Sequence, residues 1–315
     1  MIKFFVLCLS AISLFTSSSH AQNSWNYDTL KIGGIRQVIA TRGVKDGPLI
    51  LFLHGGPGGS MMKQADKFSN ELQKKFLVVQ WEQRESGKTL GLNKSNQPIS
   101  LELMFRDTHD VIDTLLKKYH QEKLYLAGES WGTVLGFKMA ETYPELLYAY
   151  MAFSPVTDQN KSETMLLSML VEDAKKKNNV TEEKELARVK IPFDNYEELY
   201  YLRKWWFRYD GHPFADKDTT AVKEYIRSWS DTWLPAWLAA MERNLFTKLP
   251  AIKCPVYFFL GGKDYQTNCE IAKAYYNLLS APKKNMYWFD GASHDLLVTE
   301  APKVQRIIID EILKK

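Results

Sequence analysis

The sequence predicts a protein of the α/β class, in which helices cover both faces of a mostly parallel sheet. Short apolar runs of buried-strand length, such as PLILFLH and PVYFFL, alternate with segments of helical periodicity along most of the chain. The alternation stops between residues 155 and 249, where the composition turns polar and aromatic, and then resumes. Because strand–helix–strand units place their strands parallel in one sheet, we expect the flanking segments, 22–154 and 250–315, to form one core.

The elements expected before the interruption follow one another without a linker. LKIGGIRQVIA indicates a hairpin with a Gly-Gly turn, and PLILFLH indicates a buried strand. MMKQADKFSNELQKKF has helical spacing, FLVVQW is a further buried strand, and Ser100 is the expected N-cap of a helix over ISLELMFRDTHDVIDTLLKKYH. KLYLA, GTVLGFKMAETY and LLYAYMAF then predict a strand, a helix stopped by Pro144, and a strand.

The interruption at residues 155–249 predicts an inserted, mainly helical cap. It contains a charged helix-like run and a cluster of tryptophans, three of which, Trp229, Trp233 and Trp237, recur every four residues. Pro235 is expected to kink or end that helix. An insertion of this kind usually lies over the functional end of the sheet. The core then continues with PVYFFL, CEIAKAYYNLL, NMYWF and VQRIIIDEILKK.

Composition fits one large globular unit and argues against several classes of function. The chain has 315 residues, of which 45% are hydrophobic and 25% charged, so a large apolar core can form. The formal net charge is +4 and no block of Lys and Arg stands out, which argues against nucleic-acid binding. No HExxH, paired CxxC or EF-hand spacing occurs, and we expect neither a metal nor another cofactor.

The first residues indicate a targeting segment. Lys3 precedes the apolar run FFVLCLSAISLF, and the small residues Ser19 and Ala21 stand where a signal peptidase reads the chain. We therefore expect residues 1–21 to be a signal peptide, cleaved before Gln22, and the protein to be periplasmic or secreted. An uncleaved N-terminal anchor is the alternative. The apolar run is short for a bilayer span, and no other long apolar segment occurs, so no stable membrane insertion is expected after cleavage.

The segment KLYLAGESWGTVLG carries the strongest chemical signal, a G-x-S-x-G pattern at Gly128–Gly132 between a predicted strand and a predicted helix. In this context the serine occupies a sharp turn, where flanking glycines avoid steric clashes. Ser130 is therefore the candidate nucleophile. The amide of Trp131, at the helix N-terminus, is a candidate donor to an oxyanion. An ordinary glycine-rich turn is the alternative.

A second glycine-rich loop, HGGPGGS, follows the strand PLILFL. Its small side chains let backbone amides face a substrate carbonyl, and we assign Gly56 as the second oxyanion donor. His54 is expected to order the loop through hydrogen bonds and not to act as a base. A phosphate loop is the alternative, but no lysine follows as a P-loop requires, and the spacing fails the dinucleotide fingerprint.

His294 is the predicted base and Asp264 the predicted acid. His294 lies in DGASHDLL after the strand NMYWF, and Asp264 ends PVYFFLGGKD, so the order along the chain is serine, acid, histidine. The acid holds the imidazole tautomer and stabilises the imidazolium. Asp290 and Asp295 compete for the role of acid, and His294 as an ordinary loop histidine is the alternative to its role as base.

Cys254 and Cys269 are the cysteines left after the predicted cleavage. They could form a disulfide in an oxidising compartment or remain two small buried hydrophobic residues. Sequence does not give their separation, and two unpaired thiols are the favoured interpretation.

With these motifs the chain resembles the proline iminopeptidase (prolyl aminopeptidase) branch of the α/β-hydrolases. The resemblance rests on HGGPGG at His54–Gly59, WEQRESGK at Trp81–Lys88 and GESWG at Gly128–Gly132, and the GGKD and GASHD segments fit the same template. It implies the α/β-hydrolase fold with an inserted helical cap, and aminopeptidase activity on short peptides. The chain departs from the family at Glu82, where Asp is usual, and at Glu85, where Gly is usual.

The resemblance also implies that cap carboxylates hold the free amino group of the substrate. AAMERNLF loosely matches one family segment and makes Glu242 the equivalent, whereas a solvated helix residue beside Arg243 is the other interpretation. Four cap tryptophans are candidates for lining a substrate pocket, and packing within the cap explains them equally: Trp205, Trp206, Trp229 and Trp233.

These residues predict a serine hydrolase that works through an acyl-enzyme. The leading interpretation is an exported aminopeptidase of the proline iminopeptidase type, which releases N-terminal residues from short peptides. A carboxylesterase or other small-ester hydrolase is the alternative, since the same machinery cleaves esters more easily than amides. A non-catalytic binding protein of this fold is a remote alternative. Enzymes of this fold that open epoxides use an aspartate nucleophile, which Ser130 argues against. The expected partner is a small-molecule or short-peptide substrate.

Overall fold

One eight-stranded sheet organises the protein, whose computed structural model describes residues 24–211 and 219–313. The predicted signal peptide, residues 1–21, lies outside the described residues. The strands, in chain order, are β1 (Asn26–Ile32), β2 (Ile35–Gly43), β3 (Leu49–Leu53), β4 (Leu77–Glu82), β5 (Leu124–Glu129), β6 (Leu147–Phe153), β7 (Val256–Gly261) and β8 (Lys284–Phe289).

The sheet is parallel apart from its first strands. In space the strands follow the order β1-β2-β4-β3-β5-β6-β7-β8. Both antiparallel pairings of this sheet involve β2, which pairs with β1 on one side and with β4 on the other. The β1–β2 hairpin turns at Gly33 and Gly34, whose φ angles of +53° and +83° favour glycine, as the Gly-Gly pair predicts. Alternate residues of β3 contribute to two apolar clusters, one on each face of the sheet. The predicted architecture is confirmed.

Helices pack against both faces. Outside the helical insertion they are α1 (Ala65–Ser69), α2 (Gly87–Leu92), α3 (Leu101–Lys118), α4 (Trp131–Thr142), α10 (Cys269–Leu278), α11 (Leu296–Thr299) and α12 (Ala301–Ile307). The helical insertion between β6 and β7 comprises α5 (Gln159–Lys176), α6 (Val180–Leu186), α7 (Tyr196–Asp210), α8 (Thr219–Met241) and α9 (Leu245–Lys248). Among the described residues, none of the helices has the length and apolar character needed to cross a membrane.

Two local expectations differ from the structure. MMKQADKFSNELQKKF does not form one helix, because the amides of Glu71 and Leu72 turn away to the side-chain oxygen of Gln305, at 2.8 and 3.4 Å. The helix α8 also continues through Pro235. The carbonyl that loses its helical partner there belongs to Asp231, which is exposed, so water can replace the missing amide.

The reversal of strand order at β4-β3-β5 creates a crevice at the carboxyl ends of these strands. The chain winds outward from β3 to β4 and then crosses back to β5, so β3 lies between the two. The loop after β3 and the turn after β5 therefore face each other at this edge, where ligands bind in open α/β sheets.

Candidate active site

Ser130 occupies a strained turn between β5 and α4. Its φ of +51° lies in the left-handed region, where non-glycine residues are uncommon. A Cβ at Gly128 would lie 2.6 Å from the carbonyl oxygen of Gly132, and one at Gly132 would collide with the carbonyl of Leu53 in β3. Only glycine fits at either position, so the two glycines of the pattern let the turn form directly against the sheet.

The structure brings the three residues predicted to form the catalytic unit within hydrogen-bonding distance. The Nε2 atom of His294 lies 3.0 Å from the Oγ atom of Ser130, and its Nδ1 atom lies 2.9 Å from Oδ2 of Asp264. These side chains come from the segments after β5, β7 and β8. With Nδ1 protonated and bound to the carboxylate, Nε2 carries the lone pair that can accept the serine proton.

Asp264 is the carboxylate that orients the imidazole, and its own position is fixed by other donors. The side chain is buried and accepts bonds from the amide and the hydroxyl of Thr267, at 3.1 and 2.9 Å. The competing carboxylates are both exposed. Asp290 accepts a bond from Nε1 of Trp288 at 2.7 Å, and Asp295 lies beside the histidine in sequence without taking the Nδ1 position.

The charges of these groups are strongly coupled. Burial of the His294 imidazole lowers its pKa, but the Asp264 carboxylate and its hydrogen bond outweigh this effect and raise the pKa to about 9. Burial raises the pKa of Asp264, but the imidazole and the donors of Thr267 bring it below its ordinary value. The pair therefore stabilises an imidazolium beside a carboxylate.

The glycine-rich loop after β3 lies against the nucleophile. A Cβ at Gly55 would come within 3.2 Å of the Ser130 Cβ. Gly56 has a φ of +122°, and a Cβ there would lie 2.6 Å from the amide of Gly59. His54 is buried and bonded through Nδ1 to the carbonyl of Gly55 at 2.9 Å, and burial lowers its pKa to about 4, so it remains neutral. The assignment of the Gly56 and Trp131 amides as oxyanion donors stays a prediction.

Gln83 connects the glycine-rich loop at His54–Gly59, called the oxyanion loop below for its predicted role, to Trp131, the residue after Ser130. Its backbone amide donates to Nε2 of His54 at 3.1 Å, and its side-chain amide donates to the carbonyl of His54 at 3.1 Å. The side-chain oxygen of Gln83 accepts from Nε1 of Trp131 at 3.0 Å. Gln83 therefore links the loop that contains Gly56 to Trp131, the two predicted sources of oxyanion donors.

The rest of the WEQRESGK motif is structural. Arg84 is fully buried and makes a bidentate ion pair with Asp107, at 2.7 and 2.9 Å. Glu82 accepts from the hydroxyl of Ser60 and, at 2.6 Å, from the amide of Lys88. Glu85 has a φ of +52°, in the left-handed region that favours glycine.

Residues 47–301 match the family described as "Serine aminopeptidase, S33". The match covers well over half of the chain. This protein belongs to the serine aminopeptidase S33 family. The predicted relation to the peptidase-like branch of the α/β-hydrolases is thereby confirmed.

Similar proteins agree with this placement of the S33 protein. It is 28% identical over 283 residues to "Probable aminopeptidase YbaC" of Bacillus subtilis (strain 168), covering 84% of this chain and 89% of the relative. Among solved structures, MGS-M2, an alpha/beta hydrolase from a Medee basin deep-sea metagenome library, aligns with a TM-score of 0.63 at 14% identity, over 90% of this chain and 96% of that one. A thermophilic esterase from Thermogutta terrifontis aligns with a TM-score of 0.58 at 18% identity, over 90% and 97%. These structural likenesses show the fold.

An apolar pocket of about 180 Å³ opens between the oxyanion loop and the helical insertion of this S33 protein. Gln266, which lines the pocket, places its Nε2 atom 3.3 Å from Nε2 of His294, so this side chain lies between the pocket and the candidate base. The lining residues are Gly56, Pro57, Gly59, Leu199, Arg203, Phe207, Tyr225, Ile226, Trp229, Trp237 and Gln266.

The four candidate tryptophans occupy different environments. Trp229 lines the pocket and donates from Nε1 to the carbonyl of Pro57 at 2.8 Å. Trp233 is buried, packs against Gly58, and has its ring 6.1 Å from that of Trp131. The other two are buried: Trp205 donates to Glu185 of the insertion at 2.7 Å, and Trp206 contacts Tyr209 of the insertion and Tyr265 of the loop after β7.

Glu242 is exposed just beyond the C-terminal end of α8. The neighbouring Arg243 places its guanidinium over the ring of Phe105 and 3.5 Å from Glu141. The role of Glu242 as a binder of the substrate amino group stays a prediction.

The sequence interpretation missed Glu129, the variable residue of the G-x-S-x-G pattern. Its carboxylate is half-buried beside the oxyanion loop, where it accepts from the amide of Gly55. Burial is the main cause that raises its pKa, to about 7. A glutamate directly before Ser130 is visible in the sequence, but the G-x-S-x-G pattern allows any residue there and so assigns it no role.

Cys254 and Cys269 are buried, unpaired thiols, which agrees with the favoured interpretation. Within the described residues, no group of three or more His, Cys, Asp or Glu side chains is arranged to hold a metal ion.

Proposed function

We propose that the protein is a serine aminopeptidase that releases N-terminal residues from short peptides through an acyl-enzyme on Ser130. The observation that carries the proposal is the continuous hydrogen-bonded series from Asp264 through His294 to Ser130. Membership of the S33 family and the similarity to a probable aminopeptidase support the choice of peptide over other acyl substrates.

In the proposed reaction, Ser130 Oγ attacks the carbonyl carbon while His294 Nε2 takes its proton. The amides of Trp131 and Gly56 stabilise the negative oxygen of the tetrahedral intermediate. His294 then gives the proton to the departing amine as the carbon–nitrogen bond breaks, which leaves an ester on Ser130. Water attacks this ester while His294 takes its proton, and His294 then returns that proton to Ser130 Oγ as the ester bond breaks and the acid departs.

We propose further that the substrate residue is small and apolar, such as proline. The pocket beside Gly56 has a volume of about 180 Å³ and is lined mainly by aromatic and aliphatic side chains. The helical insertion covers this pocket and would exclude a folded protein. An apolar pocket of this size also suits the acyl part of a small ester, so a carboxylesterase is the second candidate.

The proposed function has a direct test. A fluorophosphonate probe should label the wild-type protein and not Ser130→Ala, whereas a non-catalytic binding protein would be labelled in neither form. Amino-acid p-nitroanilides with free and acetylated amino groups should then be compared with p-nitrophenyl acetate. Turnover of the free-amino anilides, abolished by acetylation, supports the aminopeptidase, and turnover of esters alone refutes it.

We also propose that the protein is exported and that the chain begins at Gln22 after cleavage. This proposal rests on the pattern of residues 1–21. N-terminal sequencing of the protein from its native host, with fractionation of the cell, tests it. A protein that retains residues 1–21 in the cytoplasm would contradict it.

A further inference from the structure

Glu129 is an acidic group at the reaction centre that the proposed mechanism does not use. Its side chain is half-buried, directly before Ser130 in sequence. In residues 24–211 and 219–313, no lysine or arginine forms an ion pair with it, and the charged or titratable groups that act on it are His294, Asp295 and Asp264. The only one of these that can carry positive charge is the imidazole. The site therefore has an excess of negative charge.

The carboxylate and the nucleophile flank the same point of the oxyanion loop. A Cβ built on Gly55 would collide with Oε2 of Glu129 and would lie 3.2 Å from the Cβ of Ser130. The amide of Gly55 donates to the carboxylate. Glu129 is thus held beside the place where the predicted donor Gly56 receives the substrate carbonyl.

The chemistry of an aminopeptidase substrate requires a partner at this place. The amino nitrogen of an N-terminal residue is only two bonds from the carbonyl carbon that the serine attacks. When that carbon is at Ser130 and its oxygen is in the oxyanion hole, the ammonium group must lie within a few ångströms of both. A half-buried carboxylate at this distance favours a cation and disfavours a neutral amide.

Carboxylates of the helical insertion are less suited to this role. Glu163 is fully buried, but both of its oxygens are bound by the guanidinium of Arg203, so its charge is already neutralised. Glu242 is exposed at the end of α8, where water screens its charge. Glu129 has neither limitation.

We propose that Glu129 is the receptor for the α-ammonium group of the substrate's N-terminal residue. This assignment rests on the proposed aminopeptidase function. It places the residue that selects a free amino terminus in the core of the enzyme and not in the helical insertion. Burial raises the pKa of Glu129 to about 7, so the charged form is costly in the empty site, and an arriving ammonium offsets that cost. Selectivity for a free amino terminus follows.

The test compares alanine p-nitroanilide with its N-acetyl derivative in wild type and Glu129→Gln. Glutamine keeps an oxygen that can accept from the Gly55 amide, so the loop contact is preserved while the charge is removed. We expect the ratio of kcat/KM for the free over the acetylated substrate to fall by about 10- to 100-fold. Glu122→Gln, an exposed glutamate before β5, is the matched control and should keep the wild-type ratio. An unchanged ratio in Glu129→Gln, or a loss in Glu242→Gln instead, would overturn the assignment.

A second measurement separates this assignment from the proposed function. Alaninamide and N-acetylalaninamide are tested as competitive inhibitors of p-nitrophenyl acetate hydrolysis, which requires no cleavage of an amide. We expect wild type to bind alaninamide at least about 10-fold more tightly, and Glu129→Gln to lose that preference. Equal inhibition in wild type overturns the ammonium receptor. Preference for alaninamide without any anilide turnover retains the receptor and refutes the peptidase.

Discussion

The loops that carry the candidate catalytic residues and the helical insertion meet at one crevice but are held in place differently. Close backbone contacts restrict the loops that carry the candidate catalytic residues. At Gly132 an added Cβ would collide with the carbonyl of Leu53, and at Gly261 it would lie 2.5 Å from the carbonyl of Ser293, next to His294. No side-chain adjustment relieves a collision between backbone atoms, so these loops have little freedom.

The helical insertion instead touches the crevice through side chains. Nε1 of Trp229 donates to the carbonyl of Pro57 at 2.8 Å, Trp233 packs against Gly58, and Trp237 lines the pocket. The comparison indicates that close backbone packing positions the candidate catalytic residues, whereas side chains of the helical insertion shape the pocket. Four substitution or titration experiments, in order of expected effect, can break or sharpen this distinction.

Removal of the nucleophile gives the largest difference between the two regions. In Ser130→Ala we expect kcat to fall by about 10⁶-fold, because the attacking oxygen is lost. Ser168→Ala removes an exposed hydroxyl of the insertion and should leave kcat within about twofold of wild type. Hydrolysis of p-nitrophenyl acetate measures both. Residual activity of Ser130→Ala above about one-hundredth of wild type would exclude Ser130 as nucleophile.

Neutralising the acid comes next. Asp264→Asn keeps the shape of the side chain but no longer stabilises the imidazolium, and kcat should fall by about 10⁴-fold. Asp290→Asn and Asp295→Asn change exposed carboxylates near the histidine and serve as controls. We expect each control to lose less than about threefold in steady-state kinetics. If a control lost more activity than Asp264→Asn, the acid would lie in the loop of His294 and would not be Asp264.

The pH dependence of the reaction reports the same pair. Only the neutral imidazole can accept the serine proton, so kcat/KM should rise with pH until His294 deprotonates, at about pH 9. The effect between pH 7 and pH 9 is about 50-fold for a single ionisation. In Asp264→Asn, burial then dominates the pKa of His294 and lowers it, so the rise of kcat/KM should shift to lower pH. If kcat/KM of this variant rose at the same pH as in wild type, a group other than His294 would control the pH dependence.

The smallest effect is expected from the contact between the insertion and the oxyanion loop. Trp229→Phe keeps an aromatic ring in the pocket but loses the bond to Pro57, so kcat/KM should fall by about fivefold. Trp205→Phe loses the bond to Glu185, away from the loop, and is the matched comparison. We expect it to lower the Tm by about 2–4 °C with little change in kcat/KM. The reverse pattern would place the pocket around Trp205.

The sequence predicts the sheet and the candidate triad well because both depend on local order. Apolar runs mark the buried strands, and reacting side chains follow the carboxyl ends of β5, β7 and β8, where parallel strands bring them together. The contacts that define recognition join distant segments and have no spacing rule. Glu129 acquires its environment from a loop after β3, and the broken helix at Glu71 results from Gln305, more than two hundred residues away.

Trp131 has a double position that bears on attempts to alter the range of substrates. Its amide is a predicted oxyanion donor, while its indole contacts the rings of Trp233 and Trp237 in α8 and bonds to Gln83. Enlarging the pocket from the α8 side therefore disturbs the support of the residue that follows the nucleophile. Leu199, which lines the same pocket from α7, is the better first position for protein engineering. Substitutions in α7 should therefore reduce turnover less than substitutions in α8.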